Sequence, residues 1–125
     1  MIYGIGTDII EVARVAAKME KGNGFRDMIF TPREIAYCEG QASPAQHYAA
    51  RFAAKEAFLK AMGTGWGHGK INFNEIEIRN DETGKPLLQL TGNAVSCYSE
   101  LQIKQILVSL SHVKATAIAM VVIEI

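Results

Sequence analysis

The sequence predicts an α+β fold in one domain, residues 1–125, and three observations carry that prediction. Of its 125 residues 49% are hydrophobic and 21% charged, enough apolar material for a core and too little charge for a disordered chain. Residues 44–62 form a long stretch with helical spacing and a proline-marked start. From residue 75 onward the texture changes to short alternating runs divided by turn residues, as in an antiparallel sheet packed with helices. No repeat, low-complexity tract or linker divides the chain.

Residues 2–9 read as the first strand, with Tyr3, Ile5, Thr7 and Ile9 on one face and Gly4, Gly6 and Asp8 on the other. Residues 10–20 follow as a helix, stopped by Lys21-Gly22-Asn23-Gly24. Thr31-Pro32-Arg33-Glu34 is a helix start, with Thr as N-cap, Pro at N1 and Glu at N3 closing a capping box. Ser43-Pro44-Ala45-Gln46 repeats that grammar and opens the longest helix, which runs to about Met62 before Gly63. Residues 75–79 alternate with period two, 80–85 turn, and 87–90 return. Residues 91–100 suit a short helix, while 106–111 and 115–124 suit a final hairpin. The last strand is apolar on both faces, so it should be buried on both sides, centrally or against another subunit.

Lys plus Arg and Asp plus Glu number 13 each, so the net charge is zero. That argues against nucleic acid or an anionic membrane as main partner. No apolar window approaches the roughly 20 residues of a membrane span, and no secretory signal is visible. Two cysteines, Cys38 and Cys97, fit a reducing cytoplasm rather than a disulfide framework. His47, His68 and His112 lack zinc-ligand spacing. A Mg²⁺ site stays open, because that ion needs only one or two carboxylates beside a substrate phosphate.

On the long helix, Tyr48, Phe52, Phe58, Leu59 and Met62 form a bulky arc, and alanines cover the opposite side. A helix apolar nearly all round is a buried one. It nevertheless carries Arg51, Lys55, Glu56 and Lys60, and buried unpaired charge is costly. These groups therefore snorkel, pair, or face a polar cavity. The helix alone favours the simplest arrangement, a Glu56–Lys60 pair with Arg51 and Lys55 reaching solvent. Asp8 is the sole charged residue among the first ten and shares its face with two glycines, which leave room for a ligand or another backbone. Read alone, it is a helix cap. The segment 63–70 is glycine-dense but fits neither a Walker A loop nor a Rossmann turn. It suits a helix-stop loop, or a backbone nest for phosphate. Ser109 and His112 stand at a strand end without a nucleophile elbow, which argues against hydrolase catalysis.

Several segments together resemble the 4′-phosphopantetheinyl transferase family, in particular its small holo-acyl-carrier-protein synthases. Gly4-Ile5-Gly6-Thr7-Asp8-Ile9-Ile10-Glu11-Val12 is similar to their opening motif, and Phe30-Thr31-Pro32-Arg33-Glu34 to the next. Arg51-Phe52-Ala53-Ala54-Lys55-Glu56-Ala57-Phe58-Leu59-Lys60-Ala61-Met62-Gly63-Thr64-Gly65 resembles their signature helix and loop. Gly84-Lys85-Pro86 and Ser109-Leu110-Ser111-His112 match in order, so the resemblance spans nearly the whole chain. Trp66-Gly67-His68-Gly69 falls in a variable part of the loop, and Val113 stands where a polar residue is expected.

The resemblance implies transfer of the 4′-phosphopantetheine arm of coenzyme A to a serine of apo-acyl carrier protein. Adenosine 3′,5′-bisphosphate is released, and the reaction serves fatty acid biosynthesis. It makes Asp8 and Glu56 the Mg²⁺ ligands, which suits a reaction that breaks a diphosphate. Lys60 would offset or protonate the leaving phosphate, and Arg51, Lys55 and His112 would meet the phosphates of coenzyme A. The acceptor of the serine proton is left open between Glu56 and a water on the metal. Arg14, Lys18, Lys21 and Arg26 form a basic stretch with Met19 and Phe25, diluted by Glu11, Glu20 and Asp27. By itself that is an ordinary solvated face. Since acyl carrier proteins are acidic, the resemblance makes Arg14, Lys18, Lys21, Phe25 and Arg26 a docking surface. It also implies a homotrimer with active sites between subunits. A coenzyme A-binding module without catalysis and a trimeric scaffold are two other classes. The pairing of Asp8 with Glu56 speaks against both, because a pure binder needs no two carboxylates beside phosphates.

Overall fold

The computed structural model describes residues 1–64 and 71–125. The expected glycine-dense loop therefore lies, from residue 65 to 70, outside the described residues. In chain order the elements are β1 (Ile2–Glu11), α1 (Val12–Glu20), α2 (Phe25–Ile29), α3 (Pro32–Glu39) and α4 (Pro44–Met62). They continue with β2 (Ile76–Asn80), β3 (Pro86–Leu90), α5 (Asn93–Cys97), β4 (Gln105–His112) and β5 (Thr116–Glu124). Two antiparallel sheets result: β1-β5-β4, and the β2-β3 hairpin. This is the expected α+β arrangement. No helix among the described residues is long and apolar enough to cross a membrane.

The long helix α4 lies against β1 and β5 and is buried over nearly its whole circumference. Glycines permit this. A Cβ on Gly4 would stand 2.0 Å from the Ala61 carbonyl oxygen, and one on Gly6 would stand 1.9 Å from that of Ala57. The room left on the glycine face of β1 is thus filled by the backbone of α4. Ala117, Ala119, Val121 and Ile123 of β5 close the other side of that seam.

Several expectations need correction. β1 continues through Glu11, which precedes α1 as its N-cap without a side-chain bond. Asp8 sits opposite Ala119 within the strand, so it caps nothing. The capping box at Thr31 and Glu34 is present, whereas Ser43 makes no side-chain cap. α2 was not foreseen, and residues 91–100 divide into α5 and a 3-10 turn at Ser99–Leu101.

The last strand, β5, is central in its sheet, and among the described residues only one of its faces is covered. The other face shows Ile118 and Met120, the latter 46% exposed. Ile5 and Ile9 of β1, 63% and 68% exposed, extend that bare surface, and Leu107 adds to it from β4. Register brings Ile5 and Leu107 to either side of Val122.

Candidate active site

Asp8 near the end of β1 and Glu56 in the middle of α4 line one cleft of about 350 Å³. The direct contact between β1 and α4 holds them there. Lys60, one turn after Glu56, reaches across to β1 instead of staying on its own helix. Its Nζ donates to the Thr7 carbonyl and to Asp8 Oδ1, both at 3.0 Å. The Asp8 side chain is 15% exposed and that of Lys60 50%, so this ion pair borders solvent. Arg14 and Lys18 of α1, together with Phe52, complete the polar mouth of the cleft.

Among the described residues no three His, Cys, Asp or Glu side chains gather in a way that could hold an ion. Two carboxylates in an open, polar cleft suit Mg²⁺, which completes its shell with water and phosphate oxygens.

The remaining charges of α4 are not extended to solvent. Lys55 is fully buried, and its Nζ donates to Ile29 O at 2.6 Å, Glu34 Oε1 at 2.7 Å and Phe73 O at 3.1 Å. Three protons meet three acceptors, so the expected contact of Lys55 with a coenzyme A phosphate is replaced by a structural junction. Burial lowers the Lys55 ammonium from its ordinary range, and Glu34 and then Glu77 oppose that shift. Glu34 also accepts from the Ile78 amide at 2.8 Å, and Thr31 Oγ1 donates to Glu77 at 2.7 Å. The capping-box glutamate was legible from sequence; its second role as the partner of Lys55 was not.

Arg51 is 2% exposed. Its Cζ lies 4.1 Å above the ring of Tyr37, and Nη2 donates to Asn80 Oδ1. Among the described residues its Nε has no hydrogen-bond acceptor. Arg51 and His112 line a second cleft of about 170 Å³ with Tyr37, His47, Asn80, Gly84 and Pro86. Sequence reading missed Tyr37, His47 and Asn80. The available signal was the one-turn spacing of His47 from Arg51 on α4. Among the described residues the two clefts share no lining residue.

The basic stretch divides. Arg14 and Lys18 stand at the first cleft, with Lys18 Nζ 5.7 Å from the centre of the Phe25 ring and 5.8 Å from that of Phe52. Lys21 and Arg26 are exposed and do not line it, and Arg26 is 3.4 Å from its neighbour Asp27.

The sequence profile of the 4′-phosphopantetheinyl transferase superfamily matches residues 4–121. The chain is 46% identical to the holo-[acyl-carrier-protein] synthase of Geotalea daltonii, over 99% of both chains. It is also 46% identical to the protein of that name from Geobacter sulfurreducens, over 99% of this chain and 98% of the other. The crystal structure of holo-[acyl-carrier-protein] synthase from Neisseria meningitidis superposes with a TM-score of 0.90 at 39% identity, covering 100% of both chains. The Bacillus anthracis enzyme, in complex with CoA (3′,5′-ADP), gives 0.81 at 39% identity over 99% of this chain and 97% of that one. The motif resemblance, the fold and all three comparisons agree, and the chain belongs to the 4′-phosphopantetheinyl transferase superfamily.

Proposed function

We propose that this chain is a holo-[acyl-carrier-protein] synthase, moving the 4′-phosphopantetheine arm of coenzyme A to a serine of an apo-acyl carrier protein. The observation that carries the reading is the cleft where Asp8, Glu56 and Lys60 converge beneath Arg14 and Lys18. In the reaction the serine oxygen bonds to the phosphorus on the pantetheine side of the diphosphate. The bond from that phosphorus to the bridging oxygen breaks, and adenosine 3′,5′-bisphosphate leaves. Asp8 and Glu56 would hold Mg²⁺, which supplies charge neutralisation at the diphosphate. Lys60, already half exposed beside Asp8, is placed to offset charge on the departing phosphate. Arg51 brings its unpartnered Nε, and His112 its imidazole, to the phosphates of coenzyme A.

The chain acts here as one transferase domain over residues 1–125, assembled as a homotrimer with the active site between subunits. Support comes from the bare apolar face around Val122 and from the separation of the two clefts within one chain. Arg14 and Lys18, flanked by Lys21, Phe25 and Arg26, form the docking surface for the acidic carrier protein. We place it in fatty acid biosynthesis in the cytoplasm, where Cys38 and Cys97 stay reduced. Incubation with apo-carrier protein, coenzyme A and Mg²⁺ tests the whole reading. The carrier should gain the mass of one phosphopantetheine group, and the gain should vanish with a chelator. An unmodified carrier overturns the reading.

A further inference from the structure

The second cleft contains a histidine with no role so far. His47 lies on α4 one turn before Arg51, and its ring centre is 5.2 Å from that of His112 at an angle of 68°. Across the cleft it meets the Tyr37 ring of α3, 5.8 Å away and edge-on. The β2–β3 hairpin contributes Asn80, Gly84 and Pro86, none of which titrates. Among the described residues no carboxylate lines this cleft. Two imidazoles and a guanidinium, with Arg51 Nε buried and unpartnered, therefore face a small polar cavity. Such a donor set, free of anions, fits a dianionic phosphate monoester.

We propose that His47 is a third phosphate ligand beside Arg51 and His112, and that it takes up a proton when the ribose phosphate of coenzyme A binds. The inference rests on the proposed transferase reading and goes beyond it by making donor affinity proton-linked. The charges around His47 support the sign. Burial, and then the neighbouring His112 and Arg51, hold its imidazole below the ordinary range. A phosphate dianion reverses that field and favours the imidazolium. The complex then binds more protons than the free protein, so affinity rises as pH falls through the His47 titration. Protonation of the phosphate itself, near about pH 6, ends the rise.

The test measures coenzyme A binding by calorimetry at pH 8 and near neutral pH, in buffers of different ionisation enthalpy. The native chain, His47→Gln and His47→Phe are compared, with coenzyme A lacking its ribose phosphate as control ligand. In parallel, the His47 imidazole is titrated by NMR with and without coenzyme A. With three histidines in the chain, single substitutions suffice to assign each signal. The expected result is an upward shift of the His47 titration on binding, each unit corresponding to about a tenfold gain in affinity toward low pH. Both variants should lose that share of proton uptake and flatten the ratio of affinities between the two pH values. The control ligand should show neither effect. An unshifted His47 titration, or equal proton uptake by native chain and variants, overturns the proposal. Failure of the native chain to bind coenzyme A at any pH would instead refute the transferase reading, and this inference with it.

Discussion

Asp8, Glu56 and Lys60 contribute to one cleft through different kinds of support. Asp8 is held by strand pairing opposite Ala119, Glu56 by a helix buried over nearly its whole circumference, and Lys60 by two acceptors on β1. Truncating either carboxylate leaves the backbone contacts intact, so Asp8→Ala and Glu56→Ala should fold normally. Each should lose about 3 kcal/mol or more of transition-state stabilisation, roughly a hundredfold or more in transfer rate. Normal turnover by either variant at saturating Mg²⁺ would exclude the metal assignment. The side chains most legible in the sequence were those whose type is chemically anomalous for their place: a lone aspartate on a glycine face, and charges on an apolar helix. Which of those charges turn inward to each other was hidden. The Lys55–Glu34 pair joins residues of two helices, and only tertiary packing brings the lysine to the Ile29 and Phe73 carbonyls.

Among the elements, the seam between β1 and α4 sets the spacing of the site. A methyl group on Gly6 would collide with a helix carbonyl, and backbone cannot rotate aside as a side chain can. Gly6→Ala should therefore cost about 3 kcal/mol in urea unfolding at fixed protein concentration, and displace Asp8 from Glu56. An unfolding midpoint unchanged from the native chain would show the seam to be looser than the contact implies. Helix α1 offers the other element-scale prediction. Arg14 is exposed at the cleft mouth of a chain with no net charge, so attraction of an acidic partner must be local. Arg14→Glu should raise the apparent KM for carrier protein far more than that for coenzyme A, and added salt should mimic part of the effect. Equal impairment toward both substrates would move the docking surface elsewhere. Strand and helix periods exposed most of these elements in the sequence. The five-residue α2 was too short to show a period, and the continuation of β1 to Glu11 was masked by residues that also suit a helix start.

At the scale of the molecule, the sheet has one face under α4 and one bare. The bare face carries Ile5, Ile9, Leu107, Ile118 and Met120, an apolar patch of the kind that marks a contact surface, and the proposed homotrimer would cover it. Light scattering should find a trimer, and Met120→Glu should disperse it and abolish transfer without unfolding the helices. A stable, active 13.7 kDa monomer would refute that assembly. The strand order β1-β5-β4 also governs how the protein comes into being. The middle strand, β5, follows both of its neighbours in the chain. As the chain leaves the ribosome, β1 can lie on α4 but has no strand to pair with, and β4 likewise waits with an open edge. Completion of the sheet joins the two ends of the sequence, a search that slows refolding relative to helical chains of this length. Until β5 slots between its neighbours, the edges of both stay unpaired, and an unpaired edge is a template for association with another chain.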